Sequence, residues 1–182
     1  MRPVLWLAPV AFAACTPATA QPDRTAEGKQ AFATVHAVFL HPRCRNCHPA
    51  GDAPLQYADG RPHAQNITRR SEKNGLPCAT CHRDKNGTRP NQPPGAPHWH
   101  LPPSDVRMVF EGRTPRQLCE QLKDPTKTGG RDLARLITHV QEDPLVSWGW
   151  SPGPGRDPVP IPRPQLVDAM KTWVASGAPC PD

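Results

Sequence analysis

The sequence predicts a mainly α-helical protein with extensive irregular loops rich in proline and glycine. Its 182 residues suit a single domain. Apolar residues make up only 36% of the chain and prolines number 26, which limits both strands and long helices. Apolar positions recur with helical spacing only near the beginning and in the last third. We therefore expect something other than apolar side chains to fill part of the interior.

The first residues are typical of an export signal. Arg2 supplies a positive charge, and an apolar stretch follows over residues 4–14 (VLWLAPVAFAA). This stretch is too short to span a bilayer, but it suits the hydrophobic region of a secretory signal. We therefore expect an exported, periplasmic protein.

Two ways of processing this signal remain open. Residues 1–20 form a signal peptide if cleavage follows the small residue Ala20. Alternatively, residues 1–14 form a lipoprotein signal, and a lipidated Cys15 becomes the new N-terminus. In either case we place the folded domain at residues 27–181. It is then soluble, or held at a membrane only through a lipid anchor on Cys15.

The charge of the chain does not indicate nucleic acid as a partner. The formal net charge is +6, from 22 basic and 16 acidic side chains. No run of Lys or Arg with interleaved aromatic residues is present. We therefore expect scattered, solvated charge, and export itself argues against a nucleic-acid partner.

One helix is predicted before the central loops. Between residues 27 and 40 apolar side chains recur with the period of an amphipathic helix, at Phe32, Val35, Val38 and Phe39. Residues 49–107 are dense in Pro, Gly and Asn, which predicts turns and extended chain. The prolines between positions 90 and 103 permit no regular element there.

Three helices are predicted in the last third. Thr114, Pro115 and Gln117 have the pattern of an N-cap, a first-turn proline and a capping box, so a short helix begins there. Residues 131–141 and 165–176 carry apolar residues at helical spacing, and Gly177 suits a helix stop. The intervening residues 148–155 (WGWSPGPG) predict an irregular aromatic loop, whose tryptophans either line a cofactor or, as the safer interpretation, fill the core.

Two motifs of the form C-x-x-C-H carry the chemistry. Residues 44–48 read CRNCH and residues 78–82 read CATCH. This pattern is the attachment signature of c-type haem, because two thiols on one helical turn reach the two vinyl groups of a porphyrin. The following histidine then lies under the iron as the proximal ligand. The sequence thus predicts two covalent haems, with this set of residues: Cys44, Cys47 and His48 for one, Cys78, Cys81 and His82 for the other.

The four motif cysteines could also serve other purposes. Four cysteines with this spacing also suit a zinc site, but zinc does not require the two histidines. With 8 His in the chain, a chance His after both pairs has odds of roughly one in five hundred. A thioredoxin-like pair requires a β-α-β context that the flanking sequence lacks. Two ordinary disulfides remain the structural alternative.

The distal ligands are less clearly marked in the sequence. With a second axial His or Met the iron is six-coordinate and suited to electron transfer. With that position vacant, the iron can bind and transform a substrate. We expect His63 and His100, since both lie in polar or proline-held loops. His139, His41 and Met108 follow as weaker candidates.

Two cysteines remain for a structural role. Cys119 and Cys180 each lie beside a predicted helix. Because leftover thiols normally pair in an oxidising compartment, we predict a disulfide between them.

The chain resembles a family of small proteobacterial dihaem proteins labelled as isoquinoline 1-oxidoreductase subunits. The resemblance rests on the two motifs and on residues 41–49 (HPRCRNCHP), 99–103 (WHLPP) and 143–150 (DPLVSWGW). It implies a small multihaem, cytochrome c-like fold built around two covalent haems. It also implies that electrons arrive from a molybdenum hydroxylase, although nothing in this chain resembles a molybdopterin site.

We therefore expect a periplasmic electron-transfer protein. Its partners would be a dehydrogenase as donor and a cytochrome or oxidase as acceptor, and the redox chemistry would belong to the haems. Two alternatives stay open: a peroxidase-like haem enzyme with one open iron, and a zinc or disulfide binding module.

Overall fold

The computed structural model describes residues 23–182 and is mostly helical, with little sheet and long irregular loops. The helices are α1 (Arg24–Phe39), α2 (Pro42–Arg45), α3 (Pro115–Lys123), α4 (Leu133–Glu142), α5 (Pro144–Ser147) and α6 (Arg163–Ala175). The predicted signal segment, in either processing form, and Cys15 lie outside the described residues. Within residues 23–182, no helix is both long and apolar enough to cross a membrane.

Helix α1 forms where the apolar spacing predicts it. Asp23 caps the helix, since its carboxylate accepts a hydrogen bond of 2.9 Å from the Thr25 backbone N–H. Phe32 and Val35 point inward and are fully buried. At Gly28 a Cβ atom would approach the Pro179 ring to 2.5 Å, so only glycine permits this close packing against the residues that follow α6.

The three helices predicted in the last third are confirmed. Thr114 and Gln117 form the complete capping box at the start of α3. Helix α4 begins two residues later than predicted, where the Asp132 side chain accepts from the Arg135 N–H at 2.8 Å. Helix α6 ends just before Gly177, whose φ of +86° is the left-handed conformation that glycine favours.

One core unites these helices. Helix α1 packs against α6 and α3, and α4 packs against α6. Phe32 and Trp173 meet with ring centroids 4.9 Å apart, and both are fully buried. The predicted disulfide between Cys119 and Cys180 is present and joins α3 to the segment after α6. It therefore fastens the end of the chain to the core.

The middle of the chain is irregular, as the prolines predict. Two short strands, β1 (Leu55–Gln56) and β2 (Arg61–Pro62), form one antiparallel pair. Residues 144–147, just before the predicted aromatic loop, form α5, and residues 148–150 of the loop continue it as a 3₁₀ turn. The Asp143 side chain explains this, since it caps α5 by accepting from the Leu145 and Val146 N–H groups. Residues 151–155 are irregular, as predicted.

Candidate functional site

The first C-x-x-C-H motif borders a cavity of about 380 Å³. Helix α2 and the turn after it place Cys44, Cys47 and His48 in its wall. Side chains of the helical core, among them Phe39 and Leu136, line much of the remainder. The cavity has the size and the largely apolar lining of a site for a sizeable organic ligand.

His48 is held in one orientation by the chain on its far side. Its Nδ1 atom donates a hydrogen bond of 2.8 Å to the Met108 carbonyl oxygen. Its ring stacks on Phe110 with centroids 3.9 Å apart and planes 15° apart. Burial lowers the pKa of His48 to about 4, so the ring is neutral. Because Nδ1 carries the proton, Nε2 keeps the lone pair that a metal ion needs.

The two cysteines of this motif are neutral thiols. Burial raises the pKa of Cys44 to about 12 and that of Cys47 to about 11. A thioredoxin-like pair requires the opposite shift, toward a reactive thiolate. Reduced thiols that face a ligand cavity suit covalent attachment instead.

The wall of this cavity also contains candidate distal residues. His139 of α4 is half-buried, and its Nδ1 lies 3.2 Å from the Asp143 carboxylate. Burial lowers the pKa of His139, and Asp143 opposes this shift. His100 lines the same cavity but is exposed. Met170 of α6 also lines it and is fully buried.

The second motif borders another cavity, of about 440 Å³. Cys78 begins a 3₁₀ turn, and Cys81 and His82 follow it into the cavity wall. His82 donates from Nδ1 to the Pro94 carbonyl oxygen at 2.8 Å. Its ring lies flat on Trp99, with centroids 4.4 Å apart and planes 3° apart. Burial also lowers the pKa of His82, so this imidazole too is neutral and presents Nε2.

His63 faces His82 across this second cavity. The two ring centroids are 6.2 Å apart. His63 donates from Nδ1 to the Ala64 carbonyl oxygen at 2.7 Å, which leaves its Nε2 free as well. The structure therefore brings together two imidazoles that are each held through Nδ1 by a backbone carbonyl.

The two cavities share a wall. Arg43, Cys47 and Trp148 line both of them. The Arg43 guanidinium lies over the Trp148 ring, 5.7 Å from its centroid. The Arg43 Nε atom is buried and has no hydrogen-bond partner among the described residues. Such an unsatisfied donor is costly unless a bound group supplies an acceptor.

Two of the weaker distal candidates have other roles. His41 lines neither cavity; its Nδ1 accepts from the Arg43 backbone N–H at 3.2 Å and caps α2. Met108 lines the first cavity, but its carbonyl holds the back of the His48 ring. It thus lies on the same side as His48 rather than opposite it.

Sequence reasoning missed the residues that support the motif histidines. Phe110 and Trp99 stack on them, and Asp143 orients His139. Trp99 stands next to the candidate His100, which is the only local signal available. The hydrogen-bonding carbonyls of Met108 and Pro94 carry no signal in the sequence at all.

The alternative uses of the cysteines find no support in this arrangement. Cys44, Cys47, Cys78 and Cys81 are free thiols and form no disulfide. Among residues 23–182, no three His, Cys, Asp or Glu side chains form a group that could hold a metal ion. The four motif cysteines therefore do not meet as a zinc site of four thiolates requires.

Comparison of the chain with protein-family models, with curated proteins and with solved structures finds no match.

Proposed function

We propose that the protein is a small periplasmic c-type cytochrome that carries two covalent haems and transfers electrons. Each cavity brings together both cysteines and the histidine of one motif. Each of these histidines is neutral and oriented by a backbone carbonyl. Two adjoining apolar cavities of this kind fit the prediction that cofactors fill part of the interior.

The observation that carries this proposal is the pairing of His63 with His82. Two imidazoles bound on opposite sides of one metal ion have ring centroids roughly 6–6.5 Å apart, because each metal–nitrogen bond measures about 2 Å. The measured separation of 6.2 Å matches this arrangement. A disulfide module has no use for such a pair, and a zinc site would need further ligands beside it, which the described residues 23–182 do not bring together. His63 would accordingly be the distal ligand of the second haem.

At the first haem we assign the distal position to His139. Its Nδ1 is held by the Asp143 carboxylate, the arrangement that typically orients a metal-binding histidine. Its helix fixes the backbone, whereas His100 is an exposed loop residue. His100 thus becomes the second candidate at this site.

The chain's own residues would tune these sites. When bound, each haem supplies a reversible one-electron couple at its iron. The hydrogen bonds from His48 and His82 to backbone carbonyls fix both the tautomer and the ring orientation. Arg43 supplies a positive charge and an unpaired N–H to the carboxylates of either porphyrin. Trp148 keeps water out of the boundary between the sites.

The partners follow from the resemblance and from this role. The donor is a dehydrogenase, and the family resemblance makes it a molybdenum hydroxylase. The acceptor is a further cytochrome or an oxidase.

The test is a pyridine haemochrome spectrum and an intact mass of protein exported by a host with the c-type maturation machinery. We expect a c-type spectrum and the added mass of two haems. The double variants Cys44→Ala/Cys47→Ala and Cys78→Ala/Cys81→Ala should each lose one haem. A colourless protein with the mass of its polypeptide overturns the proposal.

The same sample separates electron transfer from catalysis. Two six-coordinate low-spin irons agree with the proposal. A five-coordinate high-spin iron that turns over peroxide would instead identify a peroxidase-like enzyme.

A further inference from the structure

The excess positive charge of the protein lies in one segment. Residues 61–89 contain seven Lys or Arg and only two Asp or Glu. The rest of the described chain, residues 23–60 and 90–182, contains 14 of each and is therefore neutral. The net charge is thus unevenly distributed along the chain. This segment also contains the whole second motif.

The charges of this segment are available to a partner. Five of its basic side chains are exposed and form no ion pair with another described residue. They are Arg70, Lys73, Arg83, Lys85 and Arg89. Arg61 instead pairs with Asp59. Unpaired like charges repel one another, so a bound anionic surface would relieve this repulsion.

Two exposed apolar residues lie at the second cavity. Tyr57 and Leu76 are the exposed large hydrophobic residues of the described chain, with 58% and 43% of their surface accessible. Both line the second cavity, and Cys81 at its edge is exposed. Apolar residues surrounded by polar ones are the usual anatomy of a protein interface.

We propose that this surface docks the acidic face of a one-electron redox protein at the second site. The inference rests on the function proposed above, which would place a redox group in the second cavity, beside the exposed Cys81. Charge complementarity selects an acidic partner and speeds its approach. A membrane surface fits less well, because residues 61–89 contain no amphipathic helix to lie in its interface.

The first test measures electron transfer to small reagents of opposite charge. The reduced two-haem protein gives one electron per haem to hexacyanoferrate(III), an anion, or to tris(phenanthroline)cobalt(III), a cation; each reagent is reduced by one electron. Lys73→Glu/Lys85→Glu should slow the reaction with the anion by about tenfold and speed that with the cation. Rising salt should weaken both effects.

A matched control uses charges from the neutral part of the chain. Lys123→Glu/Arg135→Glu makes the same change of charge at exposed positions of α3 and α4. It should change either rate by less than about twofold, because the altered charges lie outside the docking surface. Equal effects of the two double variants would overturn the proposal.

The second test does not depend on haem. Poly-L-glutamate at low ionic strength should slow amide hydrogen exchange within residues 57–89 and leave α3 and α4 unchanged. A footprint elsewhere overturns the docking surface. A colourless protein with the expected footprint would refute the proposed electron transfer but retain the anion-docking surface. Anionic phospholipid vesicles provide a further comparison. If the protein sediments with them, if Lys73→Glu/Lys85→Glu abolishes this binding, and if the same variant leaves the electron-transfer rates unchanged, the surface binds a membrane and the proposal is overturned.

Discussion

The Nδ1 atom of His48 donates a 2.8 Å hydrogen bond to the carbonyl oxygen of Met108, 60 residues further along the chain. His82 makes the same bond, of the same length, to Pro94. Each ring also stacks on an aromatic side chain. The two motif histidines are therefore held in the same way, by a backbone carbonyl and an aromatic ring, although their flanking sequences are unrelated. This indicates shared chemistry rather than duplication.

Replacing His63 should open one iron. On the proposed assignment, His63→Ala removes the distal imidazole of the second haem, so one of the two haems should change from low to high spin. Optical and EPR spectra measure this change. His98→Ala is the control, since His98 is exposed and lines neither cavity. If His63→Ala keeps two low-spin haems, His63 is not the ligand.

Replacing Arg43 should lower both reduction potentials. Loss of a nearby positive charge should stabilise the oxidised iron by about 1–3 kcal/mol. For a one-electron couple this lowers the reduction potential by tens of millivolts or more. Spectroelectrochemistry of Arg43→Gln measures the shift. Arg113→Gln is the matched control, because Arg113 also has a buried, unpaired Nε but lines neither cavity. Equal potentials in the two variants would remove Arg43 from this role.

Removing the disulfide should weaken the fold while the haems stay attached. Cys119→Ala/Cys180→Ala opens a loop with a sequence separation of 61 residues. The chain-entropy model predicts a loss of about 4 kcal/mol. Denaturant unfolding measures the loss, and the intact mass should still contain both haems. Unchanged stability would show that the bridge contributes nothing beyond its packing.

His41 should make stability depend on pH. Its Nδ1 must stay unprotonated to cap α2, and burial together with Arg43 and Arg45 lowers its pKa. The unfolded chain takes up the proton near pH 6.5, roughly its ordinary value. The cap therefore contributes fully above that pH, and its contribution is lost as the pH falls below it.

The comparison for this prediction is His41→Asn, whose amide oxygen also caps a helix but does not titrate. Thermal midpoints at about pH 7.5 and about pH 5.5 should fall further in the wild type than in the variant. Parallel losses in the two proteins would contradict the prediction.

Local sequence signals sufficed for the helices and the motifs. The apolar spacing around Phe32 and the capping box at Thr114 depend on neighbours along the chain, so they predict α1 and α3 well. The support of His48 depends instead on Met108, whose contribution is a backbone carbonyl that any residue possesses. The sequence indicates His139 as one candidate among several, but its preference over His100 depends on the Asp143 contact, which the folded helix provides.

The wall shared by the two cavities couples the binding of a ligand in one to binding in the other. Arg43, Cys47 and Trp148 cannot adjust to one occupant without altering the surface offered to the other. Any effect of one occupant on the binding of the second must by linkage be matched by an equal effect in the reverse direction. In a variant that lacks one pair of motif cysteines, the completeness of loading at the intact motif therefore measures how strongly the shared wall couples the two sites.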